Sequence, residues 1–146
     1  MDLTRVAIMG ILNVTPDSFS DGGHFYDIDS ALRQAESMCE NGADIIDVGG
    51  ESTRPGAESV PTQQEIDRVV PVIEALDRNM DVVISIDTSK AAVMSAAVAA
   101  GATMINDVNA LRDEAAMRIA AESQVPVCLM HMQDEPRTRN FLQPLR

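Results

Sequence analysis

The chain of 146 residues is short of aromatics: 3% of it, with three Phe, one Tyr and no Trp. Its core must then be built from Ile, Val, Leu, Ala and Met. At 45% hydrophobic residues there is enough of these for one globular domain. Basic residues are also few, 11 Lys and Arg against 23 Asp and Glu, for a formal net charge of −12. Phosphate backbones and anionic lipids select basic surfaces, so nucleic acid and membrane are not expected partners. An anionic substrate would need local groups or a bound cation, because the overall field repels it. The only cysteines, Cys39 and Cys128, lie far apart in apolar sequence and read as small buried free thiols. No HxxxH pair or Cys/His cluster is present, which argues against a structural zinc site. No apolar stretch reaches the roughly 18 residues of a membrane span. The start, MDLTRVAIMG, lacks the basic-then-apolar pattern of a signal peptide. A cytoplasmic protein is expected.

What is present is alternation. Apolar runs at Val6–Val14, Ala43–Val48, Val82–Ile86, Thr103–Val108 and Val125–Met132 predict strands. Between them Ser30–Glu40, Thr62–Arg78, Ala91–Ala100 and Ala115–Glu122 read as helices. Ile66, Val69, Val70, Ile73 and Leu76 carry the spacing of an apolar stripe, and Thr62 with Glu65 has the spacing of a capping box. Asn41-Gly42 and Gly101 are stop signals at helix ends. Strand and helix in strict alternation predict successive βαβ units and a parallel sheet. The tail from Asp134 has three arginines and no period, and reads as a disordered terminus.

Chemistry gathers where the predicted strands stop. Asp47 to Gly56, DVGGESTRPG, follows an apolar run with two glycines, a carboxylate, two hydroxyls and an arginine. Gly49 and Gly50 would let the backbone come close to a bound group, and Ser52, Thr53 and Arg54 suit an anion such as phosphate. The same letters also suit an ordinary polar βα loop with an exposed arginine. The other strands finish in Asn13, Asp87, Asn106 with Asp107, and His131. Polar residues at five strand ends in succession would ring the C-terminal rim of one sheet, where βα folds put their ligand sites. The loop Thr15–Asp27 is polar but holds Phe19, Phe25 and Tyr26, as a lid over a site would, or as a surface excursion packed on a helix would. His24 reads as solvated, and His131 as a packing or hydrogen-bonding residue at least as readily as a catalytic one. Asn13 with phosphate oxygens suits Mg²⁺, which prefers hard oxygen ligands.

MGILNVTPDSFSDGG (Met9–Gly23), DVGGESTRPGA (Asp47–Ala57), SIDTSK (Ser85–Lys90), INDVNALRD (Ile105–Asp113) and CLMHMQ (Cys128–Gln133) resemble, in order and spacing, the dihydropteroate synthases of bacterial folate synthesis. The resemblance covers about the first 138 residues and divides the chain into 1–138, part of a pterin-binding barrel, and a divergent tail, 139–146. It implies an α/β fold of the TIM (β/α)8-barrel family, of which this length would hold about five strands and four helices. It implies condensation of 6-hydroxymethyl-7,8-dihydropterin diphosphate with para-aminobenzoate, giving 7,8-dihydropteroate and pyrophosphate. By motif, Asp87 and Asn106 would bond the pterin ring with Met130 packed on it, and Asn13 would help hold Mg²⁺ on the diphosphate. Thr53 and Arg54 would face the pyrophosphate, and Asp47 would stabilise the cationic methylene. Asp21 and Phe19 would cover the para-aminobenzoate beside Pro55, where sulfonamides would compete. The resemblance also implies a homodimer for a full-length enzyme. A barrel needs eight strands and about 250 residues, so this length alone is expected to have little or no synthase activity and to expose sheet edges that invite association. The alternatives are a non-catalytic pterin-binding fragment and a pterin-binding methyltransferase domain, which would have no diphosphate to hold. A flavodoxin-like sheet, suggested by length alone, would need a different set of loops.

Overall fold

A computed structural model describes residues 4–15, 28–52 and 59–130. They form β1 (Met9–Asn13), α1 (Ile28–Glu40), β2 (Ile45–Gly49), α2 (Thr62–Asn79), β3 (Val83–Asp87), α3 (Ala91–Ala99), β4 (Met104–Asp107), α4 (Glu114–Ser123) and β5 (Val127–Leu129). The five strands make one sheet in the order β1-β2-β3-β4-β5, every neighbour parallel. Each predicted strand and helix is found, with ends moved by a few residues. β5 starts two residues later than expected, because Pro126 has no N–H to give the ladder, although its carbonyl still accepts from the Ile105 N–H at 3.0 Å.

Period-two alternation gives the sheet two unlike faces. On one, Leu12, Val48, Ile86 and Ile105 are fully buried in a single cluster with Val69, Val72, Ile73 and Leu76 of α2 and Val93, Met94 and Ala97 of α3. Ala31 and Ala35 of α1 and Ala116 and Ala120 of α4 complete that layer. Small residues at these contacts let the helices lie close, and aliphatic side chains fill the space that absent aromatics leave. Each fully buried Leu, Ile or Val contributes about 1.5–3 kcal/mol.

The helix stops follow from glycine. Gly42 and Gly101 have φ of +100° and +119°, and each sits in a hydrogen-bonded reverse turn. Gly42 N–H donates to Cys39 O and Ala43 N–H to Met38 O, while Gly101 N–H donates to Val98 O and Ala102 N–H to Ala97 O. This is the paired 6→1 and 5→2 closure that turns a helix back toward the next strand. α4 starts on the Asp113 carboxylate, which accepts from the Ala116 N–H at 2.9 Å.

Two expectations are corrected. The capping box of Thr62 and Glu65 does not form: Pro61 occupies the cap position without a side-chain bond, and Glu65 turns inward to other partners. Cys128 is exposed rather than buried, since β5 lies at a margin of the sheet, while Cys39 is half-buried. Margins expose apolar groups generally: Ile11 on β1 is 61% accessible and Leu129 on β5 is 51%.

Candidate active site

The second face of the sheet carries the chemistry. Strand register sets Asn13, Gly49, Asp87, Asn106 and Cys128 in one row across all five strands, at the carboxyl ends. The next row on the same face holds Ile11, Asp47, Ser85 and Met104. The two rows interlock through Asn106, whose Nδ2 donates to Asp47 Oδ2 at 2.9 Å. Asp47 is 3% exposed and Ser85 fully buried, yet Asp47 Oδ1, Ser85 Oγ and Asp87 Oδ1 have no protein hydrogen-bond partner. Leaving buried polar atoms unpaired costs about 1–3 kcal/mol each. Three such atoms on one face leave hydrogen-bonding capacity that packing within the chain does not use.

The Asp87 carboxyl is pushed up to about 7, first by burial and then by the nearby charges of Asp47, Asp107 and Glu65. At neutral pH it therefore exchanges between donor and acceptor. A ligand presenting N–H groups would fix it as an acceptor.

Gly49 leaves a notch in the outer row. A Cβ placed there would lie 3.7 Å from Asn13 Oδ1 and 3.7 Å from Asp87 Oδ2, in ordinary contact. An amide oxygen and a carboxylate oxygen thus flank one small depression. Among the described residues no group of three or more His, Cys, Asp or Glu could hold a metal ion by itself. The donor set fits Mg²⁺ only as an ion shared with a ligand, which is its usual mode with phosphates.

Asn106 and Asp107, adjacent in sequence, part company here. Asp107 is 1% exposed on the opposite face, where its carboxylate accepts from the N–H groups of Asn109 and Leu111, both at 2.8 Å, and from Ser89 Oγ at 2.5 Å. Those bonds hold a turn in which Ala110 and Leu111 both have positive φ, 56° and 54°. Asp107 shapes the loop after β4. Met130, half-buried just beyond β5, extends the ladder by donating its N–H to Asp107 O at 3.2 Å.

Behind the rim lies a cluster that the sequence reading missed. Glu65, 1% exposed, accepts from Thr88 Oγ1 at 2.6 Å and from Lys90 Nζ at 2.5 Å. Lys90 also bonds Glu51 and the carbonyl of Val60. Burial works against the Lys90 ammonium, but the hydrogen bonds to Glu51 and Glu65 outweigh it and raise its pKa above that of a free lysine. The only sequence signal was the row of polar residues in SIDTSK and the glutamate at position 65.

Of the expected site residues the fold brings together Asn13, Asp47, Asp87 and Asn106, with Met130 at the adjoining strand. Phe19, Asp21, His24, Thr53, Arg54, Pro55, His131 and the tail 139–146 lie outside the described residues.

A parallel βα sheet with its polar row at the carboxyl ends of the strands defines an α/β ligand-binding scaffold of the barrel class. The family model described as "Pterin binding enzyme" matches residues 9–145, and the chain belongs to that family. It is 54% identical over 138 residues to a dihydropteroate synthase of Haemophilus influenzae, covering 94% of this chain and 50% of that protein. A Yersinia pestis dihydropteroate synthase, crystallised with a sulfonamide drug, superposes with a TM-score of 0.84 at 56% identity, over 94% of this chain and 50% of the other. A Xanthomonas albilineans dihydropteroate synthase with 4-aminobenzoic acid superposes at 0.85 and 54% identity, over 90% and 49%. The chain therefore spans about half the length of these relatives. Its sheet and helices are five strands and four helices of a TIM (β/α)8-barrel fold.

Proposed function

We propose that the chain supplies the pterin-recognising half of a dihydropteroate synthase. The reaction joins 6-hydroxymethyl-7,8-dihydropterin diphosphate to para-aminobenzoate, giving 7,8-dihydropteroate and pyrophosphate. The observation that carries the reading is the pairing, in one row, of Asp87 and Asn106 above the half-satisfied carboxylate of Asp47. A pterin edge alternates N–H donors with ring-nitrogen and carbonyl acceptors. A carboxylate takes the donors, and an amide meets either kind. Met130 packs on the ring.

In the chemical step the methylene C–O bond breaks and pyrophosphate leaves with the electron pair. The aniline nitrogen forms the new C–N bond and its proton passes to water. Asp47 stabilises the positive charge that grows on the methylene. Thr53 and Arg54 hold the departing anion, so charge separation is favoured without a protein nucleophile. Mg²⁺, when bound, neutralises diphosphate charge, and Asn13 is the residue that would hold it. Asp21, Phe19 and Pro55 form the para-aminobenzoate side, where sulfonamides compete. A cytoplasmic location and a homodimeric full-length enzyme belong to the same reading.

Calorimetry on the 146-residue chain tests it. The chain should bind 6-hydroxymethylpterin, and Asp87→Ala should weaken that binding by at least about tenfold, the equivalent of one lost charged hydrogen bond. Turnover of the two substrates by the purified chain should be negligible. Binding without turnover supports a pterin-binding half. Failure to bind any pterin would sink the reading.

A further inference from the structure

The motif Ser85–Lys90 gives the proposed pterin surface only Ser85 and Asp87. Thr88, one residue on, takes the other side of the alternation and reaches α2. There its hydroxyl donates to Glu65 Oε1 at 2.6 Å and accepts from the Lys90 N–H at 3.3 Å. Its own backbone N–H donates to Asn106 O at 3.1 Å, one step beyond Asp87 and Asn106, the last paired residues of β3 and β4. Thr88 is therefore held by the neighbouring strand, by the covering helix and by the residue that opens α3.

Glu65 is the fixed end of this arrangement. It is 1% exposed, and Lys90 Nζ donates to its second oxygen, Oε2, at 2.5 Å. A carboxylate taken out of water is costly even when paired, and an apolar side chain would join α2 to the sheet more cheaply. What the carboxylate adds is direction, because a hydrogen bond fixes Thr88 in a geometry that a packing contact would leave loose. Asp87 then lies between Ile86, fully buried, and a residue tied on every side. Strand ends are where a ladder frays first, and the pair that must present one matched edge sits at such an end.

We propose that Thr88, anchored on Glu65, is a positioning residue that holds Asp87 at a fixed spacing from Asn106, so that the two meet one pterin edge together. The proposal rests on the pterin reading of Asp87 and Asn106 given above. It also accounts for a charged residue on the buried face of α2.

The test uses the 146-residue chain and its Thr88→Val and Thr88→Ser variants. Thr88→Val nearly keeps the side-chain size and leaves Glu65 paired with Lys90, while Thr88→Ser keeps the hydroxyl. Thr88→Ala, which crowds nothing, is the second variant should Thr88→Val fail to fold. In Thr88→Val, hydrogen exchange at the amide of residue 88 should speed up by about tenfold or more, with the amides of β1 and β2 unchanged. Affinity for 6-hydroxymethylpterin should fall about tenfold in calorimetry, and Thr88→Ser should keep it within about twofold of the parent's. Added to Asp87→Ala, Thr88→Val should change that affinity by less than about twofold, because the residue through which it acts is gone.

Unchanged exchange at residue 88 in Thr88→Val overturns the anchor. Faster exchange with unaltered pterin affinity, or equal acceleration at all amides, overturns the positioning role. So does a full loss on top of Asp87→Ala, or a loss in Thr88→Ser as large as in Thr88→Val. A parent chain that binds no pterin overturns the pterin reading and the positioning role with it, and exchange at residue 88 then still decides whether the anchor exists.

Discussion

The two faces of the sheet are made from the same five strands and obey opposite rules. Toward the helices, Leu12, Val48, Ile86 and Ile105 are sealed in an aliphatic layer, and the carboxylates buried on that side, Glu65 and Asp107, have protein partners. Toward the other side, Asp47, Ser85 and Asp87 hold buried oxygen atoms with no protein partner. The first face stabilises the fold. The second opposes it, because its buried oxygen atoms lack protein partners.

The largest expected effect comes from breaking the first face. Ile86→Ala removes a fully buried side chain from the middle of the helix-covered layer and should cost about 2–5 kcal/mol. Urea unfolding followed by circular dichroism would read this as a lower midpoint at unchanged slope.

Altering the second face should do the reverse. Asp87 titrates near 7 in the folded chain against an ordinary value of 3.8. Between about pH 4 and 7 the folded chain keeps a proton that the unfolded chain releases, so stability falls as pH rises through that window. Asp87→Asn removes the titration. It should stabilise the chain at pH 8 by roughly 2–4 kcal/mol and flatten its profile from pH 4 to 7, while weakening pterin binding. A variant no more stable than the parent at pH 8 would remove the basis for setting the two faces in opposition.

The smallest effect belongs to neither face. Asp113→Ala takes away the cap of α4 and should cost about 1 kcal/mol in the same unfolding measurement, without touching ligand affinity.

The fold was legible because its signals are local. Apolar runs and the glycines at 42 and 101 announce strands and helix stops within a few residues of where they act. Asn13, Asp47, Asp87 and Asn106 were legible as strand ends, since alternation carries them to a common rim. Glu65 was misread for the same reason that the others were read well. Its spacing from Thr62 satisfies a local rule, but its partner Thr88 lies 23 residues on. Ser85 was passed over because a small hydroxyl inside an apolar run looks like filler until register places it beside Asp47. Asp107 needed the fold to separate it from Asn106, and Cys128 needed knowledge of which strand lies at a margin.

The glycine pair at the end of β2 draws the border between the two faces within two letters of code. A Cβ at Gly49 would rest in the notch at 3.7 Å from its neighbours, whereas one at Gly50 would press to 2.8 Å from Val69 Cγ1 and 3.0 Å from Glu65 Cγ on α2. A mutational library at position 49 would therefore sample mostly intact proteins with altered appetites for ligand. The same library one codon later would sample mostly damaged proteins, and mutational tolerance would change sharply at a step of one residue.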